Sequence, residues 1–303
     1  MSLVATLVSA PQTPQLDSDL AGRAAEALGD LAAGSVETRV LAEGLAVDLF
    51  FEARSDGMSR EADTRLREIV SSAPVDVLVQ KHEGRRKRLL IADMDSTLIE
   101  QECIDELAAA VGKKDVIAAI TERAMRGELE FEGALRERAG MLAGLPETVI
   151  AEVLSNQITL TPGAKALVAT MKAHGAYCAL VSGGFTAFTA EIAATLGMDE
   201  NRANTLEIES GRLTGRVGEP ILGRAAKRQR LQELIAELGL DASGTMAVGD
   251  GANDLAMIEL AGLGVAFHAK PAVAAAADAR VDHGDLTALL YFQGYTASEI
   301  RNA

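Results

Sequence analysis

Two aspartates two residues apart, Asp93 and Asp95, stand in LLIADMDSTLIE, Leu89 to Glu100, directly after four apolar residues. On a strand they would share one face, but Ser96-Thr97 indicates that the strand has ended, so both acids belong to the loop at its carboxyl end. Carboxylates this close repel unless a cation or a shared proton compensates, and metal binding is the obvious compensation. A second loop, VSGG at Val181 to Gly184, also follows an apolar strand. Ser182 brings a hydroxyl, Gly183 and Gly184 let backbone N–H groups approach a ligand, and a helix starting near Phe185 points its positive end there, which makes a phosphate seat. The third loop, GDGANDLAM at Gly249 to Met257, carries Asp250 and Asp254 among small residues. That spacing aims both carboxylates at the same strand ends, where Mg²⁺ would find oxygen ligands, and it lacks the ligand series and final Glu of an EF-hand.

The elements that position these loops are apolar strands alternating with helices. Strands are expected at Leu89 to Ala92, Tyr177 to Val181, Thr245 to Val248 and Gly264 to Phe267, with a weaker one at Arg280 to Asp282. Helices are expected at Ala164 to Ala173, Phe185 to Leu196 and Ala225 to Leu238. This is the pattern of a Rossmann-like parallel α/β sheet covered on both faces, whose ligands bind beyond the carboxyl ends of its strands. Glu102 to about Ser155 is almost wholly helical in pattern, with breaks at Gly112, Gly127 and Gly144-Leu145-Pro146, and predicts a helical cap inserted over about residues 102–158. Asn204 to Val217 alternates around Ser210-Gly211 and reads as a hairpin.

The amino-terminal part has a different grammar: strand Leu3 to Ser9, helix Leu16 to Leu28, strands Val36 to Ala42 and Leu45 to Glu52, helix Ser59 to Val70, strand Val75 to Gln80. The two middle strands are joined at Glu43-Gly44, and Ser59 is in place as an N-cap. This βαββαβ order is that of a ferredoxin-like α+β sandwich. The run Arg85-Arg86-Lys87-Arg88 reads as a solvated boundary, dividing the chain into residues 1–84 and 85–303.

Composition narrows the partners. The 303 residues carry a net charge of -15, no tryptophan and 3% aromatics. Such a charge opposes nucleic acid and anionic membranes, and stacking platforms are scarce. Cys103 and Cys178, without a CxxC pair, indicate neither a disulfide framework nor a structural zinc site and fit a reducing cytoplasm. MSLVATLVSAPQ lacks the basic flank of a secretory leader, and no apolar run approaches the roughly 18 residues of a membrane span. His82, His174, His268 and His283 have no ligand-like spacing.

In combination, DMDST, VSGG, Lys227 and GDGANDLAM, each at the end of a strand or helix, resemble the haloacid dehalogenase-like superfamily of phosphohydrolases from about Leu89 to the end. DMDSTLIEQECIDELA, FEGALRERAGML at Phe131 to Leu142 and VSGGF resemble the phosphoserine phosphatases within it, and the first 80 or so residues resemble an ACT-like regulatory module in element order. The resemblance implies that Asp93 is a nucleophile forming an aspartyl-phosphate and that Asp95 is general acid and then general base. Mg²⁺ would be held by Asp93, the Asp95 backbone carbonyl and Asp250, while Lys227, Ser182 and Gly183 share the phosphoryl charge. Asp254 would support the metal through water or anchor Lys227, and Asn253 would contact substrate. Glu102 would take the ammonium and Arg138 the carboxylate of O-phospho-L-serine, with Met125 and Phe131 as an apolar lid. The implied reaction is hydrolysis to L-serine and phosphate, the last step of serine biosynthesis. The alternatives are phosphoryl transfer to homoserine and a serine-sensing protein with little catalysis. The amino-terminal module is expected to form a homodimer, to bind L-serine, or both.

Overall fold

The computed structural model describes residues 1–55, 57–126 and 128–301, without the side chain of Met125. The expected break at Gly127 and the lid role of the Met125 side chain lie outside the described residues. In chain order the elements begin with β1 (Ser2–Ser9), α1 (Ser18–Ala27), β2 (Glu37–Ala42), β3 (Ala46–Glu52), α2 (Met58–Ile69) and β4 (Val75–Lys81). Next come β5 (Leu89–Ala92), α3 (Cys103–Ala109), α4 (Lys114–Met125), α5 (Phe131–Gly140), α6 (Thr148–Asn156), α7 (Ala164–Ala173), β6 (Tyr177–Phe185) and α8 (Thr186–Leu196). They are followed by β7 (Glu200–Asn204), β8 (Leu206–Glu209), β9 (Arg212–Val217), α9 (Arg224–Glu237), β10 (Thr245–Gly249) and α10 (Leu255–Ile258). The last are β11 (Gly264–Phe267), α11 (Pro271–Ala276), β12 (Ala279–Val281) and α12 (Ala288–Phe292).

One unit comprises Met1–Lys87, Pro162–His174 and Asp278–Ala303. Its antiparallel sheet has the order β2-β3-β1-β4. Alternation in β1 and β3 turns Leu3, Ala5, Leu7, Val47, Leu49 and Phe51 into one core with Leu20 and Leu28 near α1 and Leu66 of α2. Each fully buried leucine or phenylalanine there contributes about 1.5–3 kcal/mol. Helix α1 starts where Asp17 accepts a hydrogen bond from the Leu20 N–H at 2.8 Å. Helix α2 differs from expectation: it is entered through Gly57 at φ 87, with no side-chain cap, so Ser59 lies inside the first turn instead of capping it. Only glycine takes that left-handed entry cheaply.

The basic run is also not uniformly solvated. Arg85 and Lys87 are buried whereas Arg86 and Arg88 are exposed, because an extended chain alternates its sides. Arg85 Nη2 donates to Asp48 at 2.6 Å, and Thr6 donates to the other Asp48 oxygen at 2.7 Å. The carboxyl-terminal segment joins the same unit: Asp76 of β4 accepts from the Asp282 N–H at 2.8 Å and the Gly284 N–H at 2.7 Å. This unit thus takes in residues 162–174 and 278–303 besides the amino-terminal part, and buried Asp76 of β4 finds its partners in residues 282–284.

The other unit, Arg88–Thr161 and Gly175–Ala277, has its parallel strands in the order β11-β10-β5-β6-β7. Leu89, Ile91, Ala179, Val181 and Ala247 of these strands pack on Leu231, Leu234 and Met257. Helices α3 to α6 form the inserted cap, and β8 and β9 form the hairpin, with Ser210 at φ 50 and Gly211 at φ 75 in its tip. Positive φ at both central residues is the turn type whose twist matches paired strands. Strand β7, ENRAN, escapes sequence reading because only Asn204 in it is buried. Ser182 to Gly184 continue strand β6 instead of forming a loop, with a register irregularity against β7 between Val181 and Phe185. Strand β5 lies between β6 and β10, so successive connections leave it in opposite directions. A crevice opens at such a switch point, at the carboxyl ends of the strands.

Candidate active site

Asp93 follows β5 and Asp250 follows β10, and Asp254 precedes α10. Asp93, Asp250 and Asp254 each offer a buried carboxylate oxygen, all within 4.8 Å of one another. Lys227 of α9 reaches in with no exposed surface, its Nζ 2.7 Å from Asp93 Oδ2 and 2.6 Å from Asp254 Oδ1. Burial opposes its charge, but Asp254 and Asp93 outweigh burial and raise its pKa. One ammonium does not balance three acids. Burial, reinforced by Asp254 and Asp93, pushes the Asp250 carboxyl well up, and burial together with Asp93 lifts Asp254 to about 7. An all-oxygen donor set with this excess of negative charge fits a hard divalent cation.

Beside this cluster the chain turns sharply through Met94–Leu98, with Ser96 at φ 53. A left-handed serine is a strained choice of the kind found where a site dictates backbone shape. The turn lets Asp93 accept from the Met94 N–H at 2.7 Å and Asp95 accept from the Cys103 N–H at 3.0 Å. Burial raises the Asp95 carboxyl to about 6, the Cys103 hydrogen bond working against it and Asp93 with it. The Ser96 hydroxyl donates to Glu102 Oε1 at 2.7 Å, and burial followed by Asp95 and Asp250 raises Glu102 well above the usual carboxylate range. Cys103 is buried, its thiol pushed up by burial and then by Asp95, as expected of a packing residue.

Glu102 and Arg138 line one cavity with Asp93, Asp95, Phe131, Ser182, Gly183 and Asn253. Arg138 of α5 is buried, its Nε donating to Ala134 O at 3.1 Å and its Nη1 to the Thr121 hydroxyl at 2.9 Å. Phe131 lies so close over Gly183 that a Cβ there would stand 2.6 Å from Phe131 Cζ. Asn253 Nδ2 lies 3.4 Å from Asp93 Oδ2, and its buried Oδ1 has no partner among the described residues. Such an orphaned acceptor suits a donor brought by a ligand. The neighbouring arginines are engaged elsewhere: Arg136 pairs with Glu219 at 2.9 Å and Arg126 with Glu122 at 2.9 Å, while Arg123 stands 3.6 Å from Glu128.

Three supporting residues are given no role at the site by the sequence reading: Ser96, Thr121 and Asn204. The Asn204 amide donates to Gly183 O at 2.9 Å and accepts from Leu222 N–H at 2.6 Å, holding the glycine strand end in place. Ser96 sat in plain view within DMDST, and its φ is the feature that sequence alone does not display. Thr121 and Asn204 carry no local signal.

A family model described as haloacid dehalogenase-like hydrolase matches residues 90–259. The chain belongs to that family. It is 44% identical over 240 residues to a phosphoserine phosphatase of Mycobacterium tuberculosis, covering 78% of this chain and 58% of that protein. The chain thus spans little more than half the length of that curated relative. A haloacid dehalogenase family hydrolase of Salmonella enterica serovar Typhi has the same fold with a TM-score of 0.83 at 32% identity, covering 96% of this chain and 98% of that one. A phosphoserine phosphatase solved as a phospho-aspartyl intermediate analogue gives 0.66 at 39% identity, covering 68% of this chain and 99% of that one.

Proposed function

We propose that this protein is a Mg²⁺-dependent phosphoserine phosphatase that hydrolyses O-phospho-L-serine to L-serine and inorganic phosphate. The observation that carries the reading is that Glu102 and Arg138 line the same cavity as Asp93 and Asp95. A phosphoester bearing one ammonium and one carboxylate is the ligand that answers those two charges. The names of the relatives support the same substrate.

In this reading a carboxylate oxygen of Asp93 attacks phosphorus and the bond to the serine oxygen breaks. Asp95, its pKa raised to about 6, gives the leaving oxygen its proton. The resulting carboxylate then takes a proton from the water that attacks the aspartyl-phosphate, releasing phosphate and restoring Asp93. Lys227, the Ser182 hydroxyl and the Gly183 N–H offset the phosphoryl charge, and Asn253 contacts substrate. Asp93, Asp250 and the Asp95 backbone carbonyl would hold Mg²⁺, with Asp254 in support while it anchors Lys227. The ion, when bound, neutralises charge on the carboxylates and the phosphoryl oxygens. Phe131 closes the cavity against water.

Residues 85–303 form the phosphatase part, with the cap at about 102–158, and residues 1–84 an ACT-like module for dimerisation, for L-serine binding or for both. A cytoplasmic site without nucleic-acid or membrane partners is consistent with the net charge of -15. Among the described residues no helix is long and apolar enough to cross a membrane.

The test is Mg²⁺-dependent phosphate release from phosphoserine, phosphothreonine, phosphoethanolamine and 3-phosphoglycerate by wild type, Asp93→Asn and Arg138→Ala. Preference for phosphoserine, lost at Asp93 and weakened at Arg138, is expected. No preference over the analogues would overturn the substrate assignment, and phosphohomoserine formed on adding homoserine would reassign the acceptor.

A further inference from the structure

We propose that Thr121, backed by Asp105, is a positioning residue for Arg138 and thereby sets the preference for phosphoesters that carry a carboxylate. The inference rests on the reading of Arg138 as the carboxylate-binding residue. Asp105 lies on α3, Thr121 on α4 and Arg138 on α5, so three of the four cap helices converge on one hydroxyl. Thr121 is buried, and its Oγ1 lies 2.9 Å from Arg138 Nη1, 2.9 Å from Asp105 Oδ1 and 3.0 Å from Ile117 O. A hydroxyl has one proton and a guanidinium only donates, which fixes Arg138 as the donor to Thr121. The proton of Thr121 goes to Asp105 or to the Ile117 carbonyl, and a lone pair is left facing Arg138.

Arg138 is thus restrained at two adjacent nitrogens, by Thr121 at Nη1 and by Ala134 O at Nε. Two bonds from different nitrogens restrain the rotation of the guanidinium. Nη2 has no hydrogen-bond partner among the described residues, and with the second Nη1 hydrogen it forms the end of the fork that matches a carboxylate. Ordering this long side chain before substrate arrives removes an entropic cost from binding. Thr121 also lines the cavity, whereas Asp105 does not. Direct contact of Thr121 with substrate and action through Arg138 are therefore separate outcomes, and a double variant tells them apart.

The experiment measures KM and kcat of the Mg²⁺-loaded 303-residue chain for phosphoserine and for phosphoethanolamine, which lacks the carboxylate. The variants are Thr121→Val, Thr121→Ser, Asp105→Ala, Arg138→Ala and the pair Thr121→Val with Arg138→Ala. Loss of a hydrogen bond to a charged group corresponds to roughly a tenfold or greater rise in KM. The expected result is such a rise for phosphoserine in Thr121→Val, at least about fivefold larger than for phosphoethanolamine, with kcat much less affected. Thr121→Ser restores the preference, Asp105→Ala moves it in the same direction, and Thr121→Val adds nothing to Arg138→Ala. Equal changes for both substrates, or a further loss in the double variant, overturn positioning through Arg138. If Thr121→Val does not fold, the same comparison with Asp105→Ala decides. If Arg138→Ala itself leaves the preference intact, the reading of the site fails, not the role of Thr121 alone.

Discussion

The Lys227 ammonium stands 2.7 Å from the Asp93 carboxylate, with both side chains buried, and it is shared with Asp254 at 2.6 Å. The nucleophile of the proposed reaction is therefore held by a cation that also offsets its repulsion with a second acid. Lys227→Met would leave these carboxylates facing each other in a dry site. Breaking a buried pair costs about 3–5 kcal/mol, so urea unfolding in the presence of a chelator should move by about that amount. The kcat for phosphoserine should fall by about a hundredfold or more, because the same ammonium faces the phosphoryl group. Mg²⁺ should recover part of the stability but little of the rate; near wild-type turnover would remove Lys227 from the mechanism.

Gly184→Ala tests Asp95 without touching it. A Cβ at Gly184 would lie 2.6 Å from Asp95 Oδ2 and 3.2 Å from Ser182 Oγ. The carboxylate must give way, and a displacement of this size at a proton-transfer group costs on the order of a hundredfold in kcat. Thermal unfolding should change little by comparison. Unchanged kcat would mean that the position of Asp95 does not matter to the reaction.

The metal-free protein should lose stability as pH rises from about 4 to about 7. Asp95 and Asp254 are lifted from 3.8 to about 6 and about 7, respectively. Above pH 4 the unfolded chain has released these protons while the folded chain retains them, so stability present below pH 4 is lost as each folded group titrates. Other groups add slopes of their own, and the informative quantity is the difference between wild type and Asp254→Asn. Unfolding midpoints from pH 4.5 to 8 in chelator should converge or cross as pH rises; parallel curves would contradict the assignment.

In the other unit, the ion pair of Arg85 and Asp48 at 2.6 Å has side-chain exposures of 7% and 0%. Arg85→Met should destabilise the protein by about 3–5 kcal/mol in urea unfolding, since among the described residues Asp48 then keeps only the Thr6 hydroxyl. Replacing Asp48 with leucine as well should recover most of the loss, because an apolar pair needs no compensation. A loss as large in the double variant would show that packing by the arginine stem, not its charge, carries the effect.

Much of this arrangement was legible because it is local. An apolar run followed by an acidic loop places Asp93 at the end of β5 and Asp250 at the end of β10, where a parallel sheet binds ligands. The alternating pattern of β1 and β3 likewise yields the sheet of the first unit. Where side chains do not alternate or have no partner nearby, the pattern is silent. Strand β7 exposes most of its residues, Gly57 enters α2 by a backbone angle, and Arg85 is buried only because Asp48 waits for it 37 positions earlier.

The sequence by itself determined which residues are able to attack, to carry protons and to bind a cation, since those properties belong to side-chain chemistry and to loops that follow apolar strands. The resemblance points to Arg138, but only the tertiary structure shows that it is buried in the cavity and what holds it there. Arg138 meets Thr121 because α4 and α5 are rotated toward each other by packing, while Arg136, two residues away, turns out to Glu219. Helix periodicity supplies the faces, but which face looks at the site depends on contacts between helices that no local window contains.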